Sequence, residues 1–221
     1  MNLPYKASQA LDAVTIRDMS SISQLPPKSE PPLAMARLKQ ATGPAHQRLE
    51  SLAMPGDLST TLTSCRYARL IRHNYLLHLA LEPELADYLD LTLPELAYGS
   101  QRCKLTALRT DLQLLEQQTP QAEFCLPALR SLPQALGRAY VLEGASLGGQ
   151  LIFRALMAQP ALAELGAVHF YGFYGTEIGL RWKQFSNLLN ASVVELQAID
   201  EACEAACQVF KLACEIFAQA D

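Results

Sequence analysis

From residue 33 onward, apolar side chains recur at the three- and four-residue steps of a helix rather than alternating as in a strand. Leu33, Leu38, Ala41, Ala45, Leu49 and Leu52 draw the first stripe. Pro44 interrupts it, because proline removes a backbone donor and restricts the residue before it, so a kink or a fresh first turn is expected there. Ser29, followed by prolines, is a start signal. A second helix is predicted over 63–90, with Tyr67, Leu70, Ile71, Tyr75, Leu77, Leu79 and Leu81 among its apolar positions. A third covers 103–117. One or two more cover 127–158, another broken by glycines covers 161–190, and the last covers 192–219. In that last helix Val193, Leu196, Ile199, Cys203, Ala206, Phe210, Ala213 and Phe217 share a face. No Asn-Gly or Asp-Gly hairpin signal and no internal repeat occurs. The pattern predicts one all-α domain of six to eight helices.

Composition adds a boundary. Residues 20–32 read SSISQLPPKSEPP, with four prolines and four serines and almost nothing large and apolar. Such a segment cannot bury enough surface to fold alone. Residues 1–32 are therefore expected to be a flexible tail and 33–221 the helical domain. The net charge is −4, which argues against nucleic acid as the main partner. No apolar run approaches the ~20 residues of a membrane span, and residues 1–24 hold no apolar secretion-signal core. A cytoplasmic protein with no membrane partner is the expectation. The six cysteines form no CxxC pair, and Cys203, Cys207 and Cys214 read as small core residues.

The four histidines are His46, His73, His78 and His169. No HExxH and no paired ExxH motifs accompany them, so a metal site made of protein ligands alone is not expected. His46–Glu50 and His78–Glu82 are four apart, a spacing that usually gives a surface contact worth a few tenths of a kcal/mol. The segment Tyr140-Val-Leu-Glu-Gly-Ala-Ser-Leu-Gly-Gly-Gln-Leu-Ile152 is less ordinary. Gly144, Gly148 and Gly149 sit inside a good helical stripe, at roughly 1 kcal/mol each relative to alanine. Their total is large against a stability of ~5–15 kcal/mol. Either helices pack tightly through these small residues, or a flat ligand lies on bare backbone with the Tyr140 hydroxyl at its edge. Lys39 and His46 are two turns apart, about 10 Å, which roughly matches the distance from a haem iron to its propionates.

Together these segments resemble the haem oxygenases. Leu38-Lys-Gln-Ala-Thr-Gly-Pro-Ala-His-Gln-Arg-Leu-Glu50 is similar to their proximal helix. Tyr140-Val-Leu-Glu-Gly-Ala-Ser-Leu-Gly-Gly149 is similar to their distal helix, particularly in the bacterial biliverdin-producing members. Phe170-Tyr-Gly-Phe-Tyr-Gly-Thr-Glu-Ile-Gly-Leu-Arg-Trp-Lys-Gln-Phe185 looks like their aromatic, glycine-containing stretch. The resemblance covers about residues 33–215, with the motifs in order.

The resemblance implies a single-domain, multi-helical fold with haem between a proximal and a distal helix. It implies oxidative cleavage of haem to biliverdin, ferrous iron and carbon monoxide, with dioxygen as co-substrate. Electrons would come from a ferredoxin, a flavodoxin or a reductase, and a bilin-using photoreceptor is a conceivable consumer of the product. By position, His46 matches the iron ligand, Lys39 and Tyr140 match propionate contacts, and Lys183 matches another propionate-facing lysine more loosely. Gly144, Gly148 and Gly149 match the distal glycines. Animal members carry an aspartate after the first of these; here it is Ala145, as in bacterial members that also lack the acid. Ser146 is a speculative contributor to the water network that would replace it. Haem is both cofactor and substrate, so the protein supplies orientation and electrostatics. Arg66, Arg69 and Arg72 recur every third residue, either as a solvated face or as a docking patch for an acidic electron donor. The alternative function is a non-catalytic haem carrier or sensor on the same fold.

Overall fold

The computed structural model describes residues 33–54, 62–121 and 123–219. The expected tail and the Ser29 start signal lie outside them. Eight α-helices occur among the described residues, and no strand: α1 (Leu33–Ala53), α2 (Ser64–Thr92), α3 (Tyr98–Gln101), α4 (Leu105–Leu114), α5 (Leu132–Met157), α6 (Pro160–Ala163), α7 (Ile178–Ser192) and α8 (Leu196–Phe217). Single 3-10 turns precede α3 and α7.

Local chemistry sets the ends. Thr63, in extended conformation, accepts the Arg66 amide and starts α2. Ser131 does the same for Gln134, and Pro133 in the first turn fixes the start of α5, later than the apolar pattern suggested. Helix α4 starts at Leu105 because a distant carboxylate, Glu82, accepts the Lys104 and Leu105 amides at 2.7 and 2.9 Å. No reading of local sequence could supply that cap. The pattern over 161–190 resolves into the single turn α6, a run of turns, and α7. Gly166 and Gly175 take positive φ (65° and 50°) in that run. The buried Asp111 carboxylate holds it down by accepting the His169 and Phe170 amides at 2.9 and 2.8 Å. Neither Pro44 nor Pro83 ends its helix: α1 and α2 each run through, so no fresh turn begins at Pro44.

Helix α8 is the central element, with α1 on one side and α5 on the other. Its inward stripe includes Ile199, Ala202, Ala206, Val209, Ala213 and Ile216, none more than 1% exposed. Helix α2 packs on α3, α4, α5 and α8, and α7 lies against α5 and α1. The α5–α8 crossing is closest at Gly137, where a Cβ would stand 2.9 Å from the Ala202 carbonyl carbon and 3.0 Å from its Cα. Gly137→Ala would gain ~1 kcal/mol of helix propensity but must push two backbones apart. A net loss of about 1–3 kcal/mol in urea unfolding is expected. A stabilised variant would show that the crossing is looser than this.

The cysteines are all free. Burial pushes the Cys203, Cys207 and Cys214 thiols up, and Cys103 to about 12, so they stay protonated and unreactive.

Candidate functional site on the first and fifth helices

Lys39, Thr42 and His46 share one face of α1, at i, i+3 and i+7. Tyr140, Gly144 and Gly148 share one face of α5, at i, i+4 and i+8. Tyr140 lies beside Thr42, whose hydroxyl donates to the Leu38 carbonyl at 2.8 Å, so the two faces meet there. Burial raises the Tyr140 pKa, so it remains a neutral phenol there. Beyond this pairing both faces are open. The His46 side chain is 56% exposed, one edge near the Phe210 ring of α8 at 5.7 Å between centroids. Its Nδ1 lies 3.5 Å from Glu50 Oε2, which leaves Nε2 as the nitrogen available to a ligand. Lys39 is exposed on the same helix.

The glycines separate into two kinds. A Cβ on Gly149 would stand 2.7 Å from the Tyr171 ring, so that residue is glycine because another part of the protein needs the space. A Cβ on Gly144 would meet only the rim of Trp182, at an ordinary 3.8 Å, and one on Gly148 would meet nothing within 4 Å. No protein neighbour explains these two. Leu147 and Leu151 lie on the same stripe, 43% and 62% exposed. Bare backbone flanked by uncovered leucines on α5, and an open imidazole on α1, are the two surfaces that a flat apolar body carrying a metal would need.

Two of the expected residues are not on this face. Gly149 is buried on the far side, as just described. Ser146 is about 160° round the helix from Gly144, and its hydroxyl bonds back to the Leu142 carbonyl at 3.4 Å. Lys183 is exposed on α7, next to Trp182, whose ring lies 5.9 Å from that of Tyr140. Thr42 and Trp182 were not singled out in the sequence. The i+3, i+7 spacing of Thr42 was the signal for the first. Nothing local marked the second, since only the fold brings α7 to α5.

The other histidines are committed elsewhere. His73 is buried with its ring 5.0 Å from Phe217. His78 Nδ1 lies 2.6 Å from Glu82, and His169 Nδ1 lies 2.8 Å from Asp111. Among the described residues no group of three or more His, Cys, Asp and Glu gathers to hold a metal ion.

Among the described residues the fold is all-helical. A sequence model of the family described as "Heme oxygenase" matches residues 33–219. A heme oxygenase of Xanthomonas campestris pv. campestris is 32% identical over 145 residues, 65% of this chain and 84% of that protein. Heme oxygenase PigA of Pseudomonas aeruginosa is 31% identical over 171 residues, 76% of this chain and 82% of that one. The NO- and CO-bound heme oxygenase of Neisseria meningitidis has the same fold, with a TM-score of 0.64 at 22% identity, covering 85% of this chain and 93% of that one. The chain belongs to the haem oxygenase family, and it is a haem-degrading oxidoreductase. That places the enzyme ahead of the non-catalytic carrier. Among the described residues, no helix is long and apolar enough to cross a membrane.

Proposed function

We propose that haem binds between α1 and α5, with its iron on His46 Nε2 and its distal face against Gly144 and Gly148, and is opened there to biliverdin, iron and carbon monoxide. The observation that carries this reading is the pairing of an open imidazole with two glycines that no protein neighbour requires. When bound, haem supplies the iron that takes dioxygen and the ring that is oxidised. The chain's residues orient it. Glu50 Oε2, 3.5 Å from Nδ1, lies on the side of the ring away from Nε2, which is left to meet the iron. Lys39, exposed two turns from His46, and Lys183 supply cations for the propionates. Tyr140, beside Thr42, would be a further propionate contact. With haem bound, the bare backbone at Gly144 and Gly148 would line its distal face. It presents peptide groups rather than a strong acid.

Gly148→Phe tests the site directly. The mutated position is open, so the fold should survive, while an aromatic ring fills the space meant for the macrocycle. Hemin affinity is expected to fall about tenfold or more, equivalent to ~1.4 kcal/mol. Unchanged hemin titration would put the substrate elsewhere.

The electron donor we propose is an acidic ferredoxin or flavodoxin, or a reductase with an equivalent face. Arg69 and Arg72 line a groove of ≈ 730 Å³ between α2 and the turn after α4, beside Arg66. Their charge favours encounter with an acidic partner through long-range steering. Donor-dependent reduction should slow as salt rises past about 0.1 M, where screening acts within ~10 Å. A rate indifferent to salt would remove these arginines from the docking surface.

A further inference from the structure

Glu143 lies directly before Gly144 on α5, about 100° round the helix from it, and faces inward. Its side chain is 1% exposed. The carboxylate accepts Arg102 Nη1 at 2.6 Å, Lys104 Nζ at 2.8 Å and the Tyr174 hydroxyl at 2.8 and 3.0 Å. Arg102 reaches on to the Leu96 carbonyl at 3.3 Å and the Arg181 carbonyl of α7 at 3.4 Å. Lys104 Nζ also donates to the Arg102 carbonyl at 3.0 Å and stands 4.9 Å over the Tyr174 ring. The Lys104 amide is held by Glu82, so two cations balance two carboxylates in a buried cluster.

This cluster sits behind the softest part of the molecule. Three glycines in six residues make α5 compliant. On the open side only Trp182 approaches Gly144 and nothing approaches Gly148. Stiffness must therefore come from behind. Charge-assisted hydrogen bonds are short and directional, which apolar packing is not.

We infer that Glu143 is a positioning residue for haem cleavage: tied to the α3–α4 turn, to α7 and to Tyr174, it fixes the height and rotation of the Gly144 backbone over the substrate, and with them the edge of the ring that is opened. This rests on the placement of haem against Gly144 and Gly148. The lever is large, since a misplacement of 1 Å costs about 10²-fold in rate.

The test uses the full chain with hemin, a reductant and air, and separates the biliverdin isomers while kcat and KM are measured. Tyr174→Phe removes one bond to Glu143 and leaves the charges balanced. Glu143→Gln removes the counter-charge. Leu112→Ala, in the buried face of α4, serves as a destabilised control outside the cluster. Tyr174→Phe is expected to keep the Soret band and KM, to lower kcat about tenfold, and to change the isomer ratio. Glu143→Gln should move both further in the same direction, and Leu112→Ala should keep the wild-type ratio. Wild-type kcat and isomer ratio in Tyr174→Phe would overturn the role given to Glu143, as would an equal shift in Leu112→Ala. A wild-type protein that forms no Soret band would instead contradict the cleft itself.

Discussion

His46→Ala should abolish biliverdin formation without unfolding the protein. The side chain is 56% exposed and touches little beyond Glu50 and the edge of Phe210. Its removal should change stability by no more than about 0.5 kcal/mol, as for other exposed positions. The effect on activity is of another order. In the proposed complex His46 Nε2 would be the chain's main lever on the electronics of the iron. Turnover should fall at least about 10²-fold, ~2.7 kcal/mol on the barrier. Added imidazole, free to occupy the emptied space, should restore part of it. A variant that keeps full turnover would show that His46 is not the ligand. A variant that unfolds would show that the imidazole supports the α1–α8 contact.

Glu143→Leu should cost the most stability of any single substitution considered. It strands Arg102 and Lys104 in the interior with no carboxylate between them. Breaking a buried ion pair from one side costs about 3–5 kcal/mol, a large share of a total near 5–15 kcal/mol. A loss below about 1 kcal/mol would make the cluster behave as exposed ion pairs do. Acid should reproduce the effect. Burial pushes the Glu143 carboxyl up, but Lys104 and Arg102 outweigh it and hold the group below its ordinary value of 4.5. In Glu82, likewise, the neighbouring His78 and Lys104 outweigh burial. The folded state therefore binds fewer protons than the unfolded chain around these values. The stabilisation is complete above about pH 4.5 and is lost as pH falls through the lowered folded values. Urea midpoints measured downward from pH 5 should drop steeply in the wild type and less in Glu143→Gln.

The helices that carry the cleft were legible because their apolar stripes are local. The stripe from Leu38 to Leu52, the run from Tyr67 to Leu81 and the face from Ile199 to Phe217 each became a helix. The ends were less legible where distant groups set them. Glu82 starts α4 from 22 residues away, and Asp111 holds the turns at 169–170 from 58 away. His46, Lys39 and the glycine run stood out by spacing and resemblance. The division of labour among the glycines could not, because Gly149 answers to Tyr171 and Gly137 to Ala202, and both contacts exist only in the fold. Glu143 read as an unremarked polar position in an apolar helix. Its partners Arg102, Lys104 and Tyr174 are 31 to 41 residues away, and no spacing rule joins them.

The most direct measurement is the optical spectrum of the purified protein mixed with hemin and then given a reductant under air, run beside His46→Ala. The wild type should form a Soret band that decays as biliverdin absorption rises, and the variant should form no biliverdin until imidazole is added. A stable Soret band in the wild type, with no turnover even when ferredoxin and its reductase are supplied, would contradict the proposal that haem is opened in this cleft.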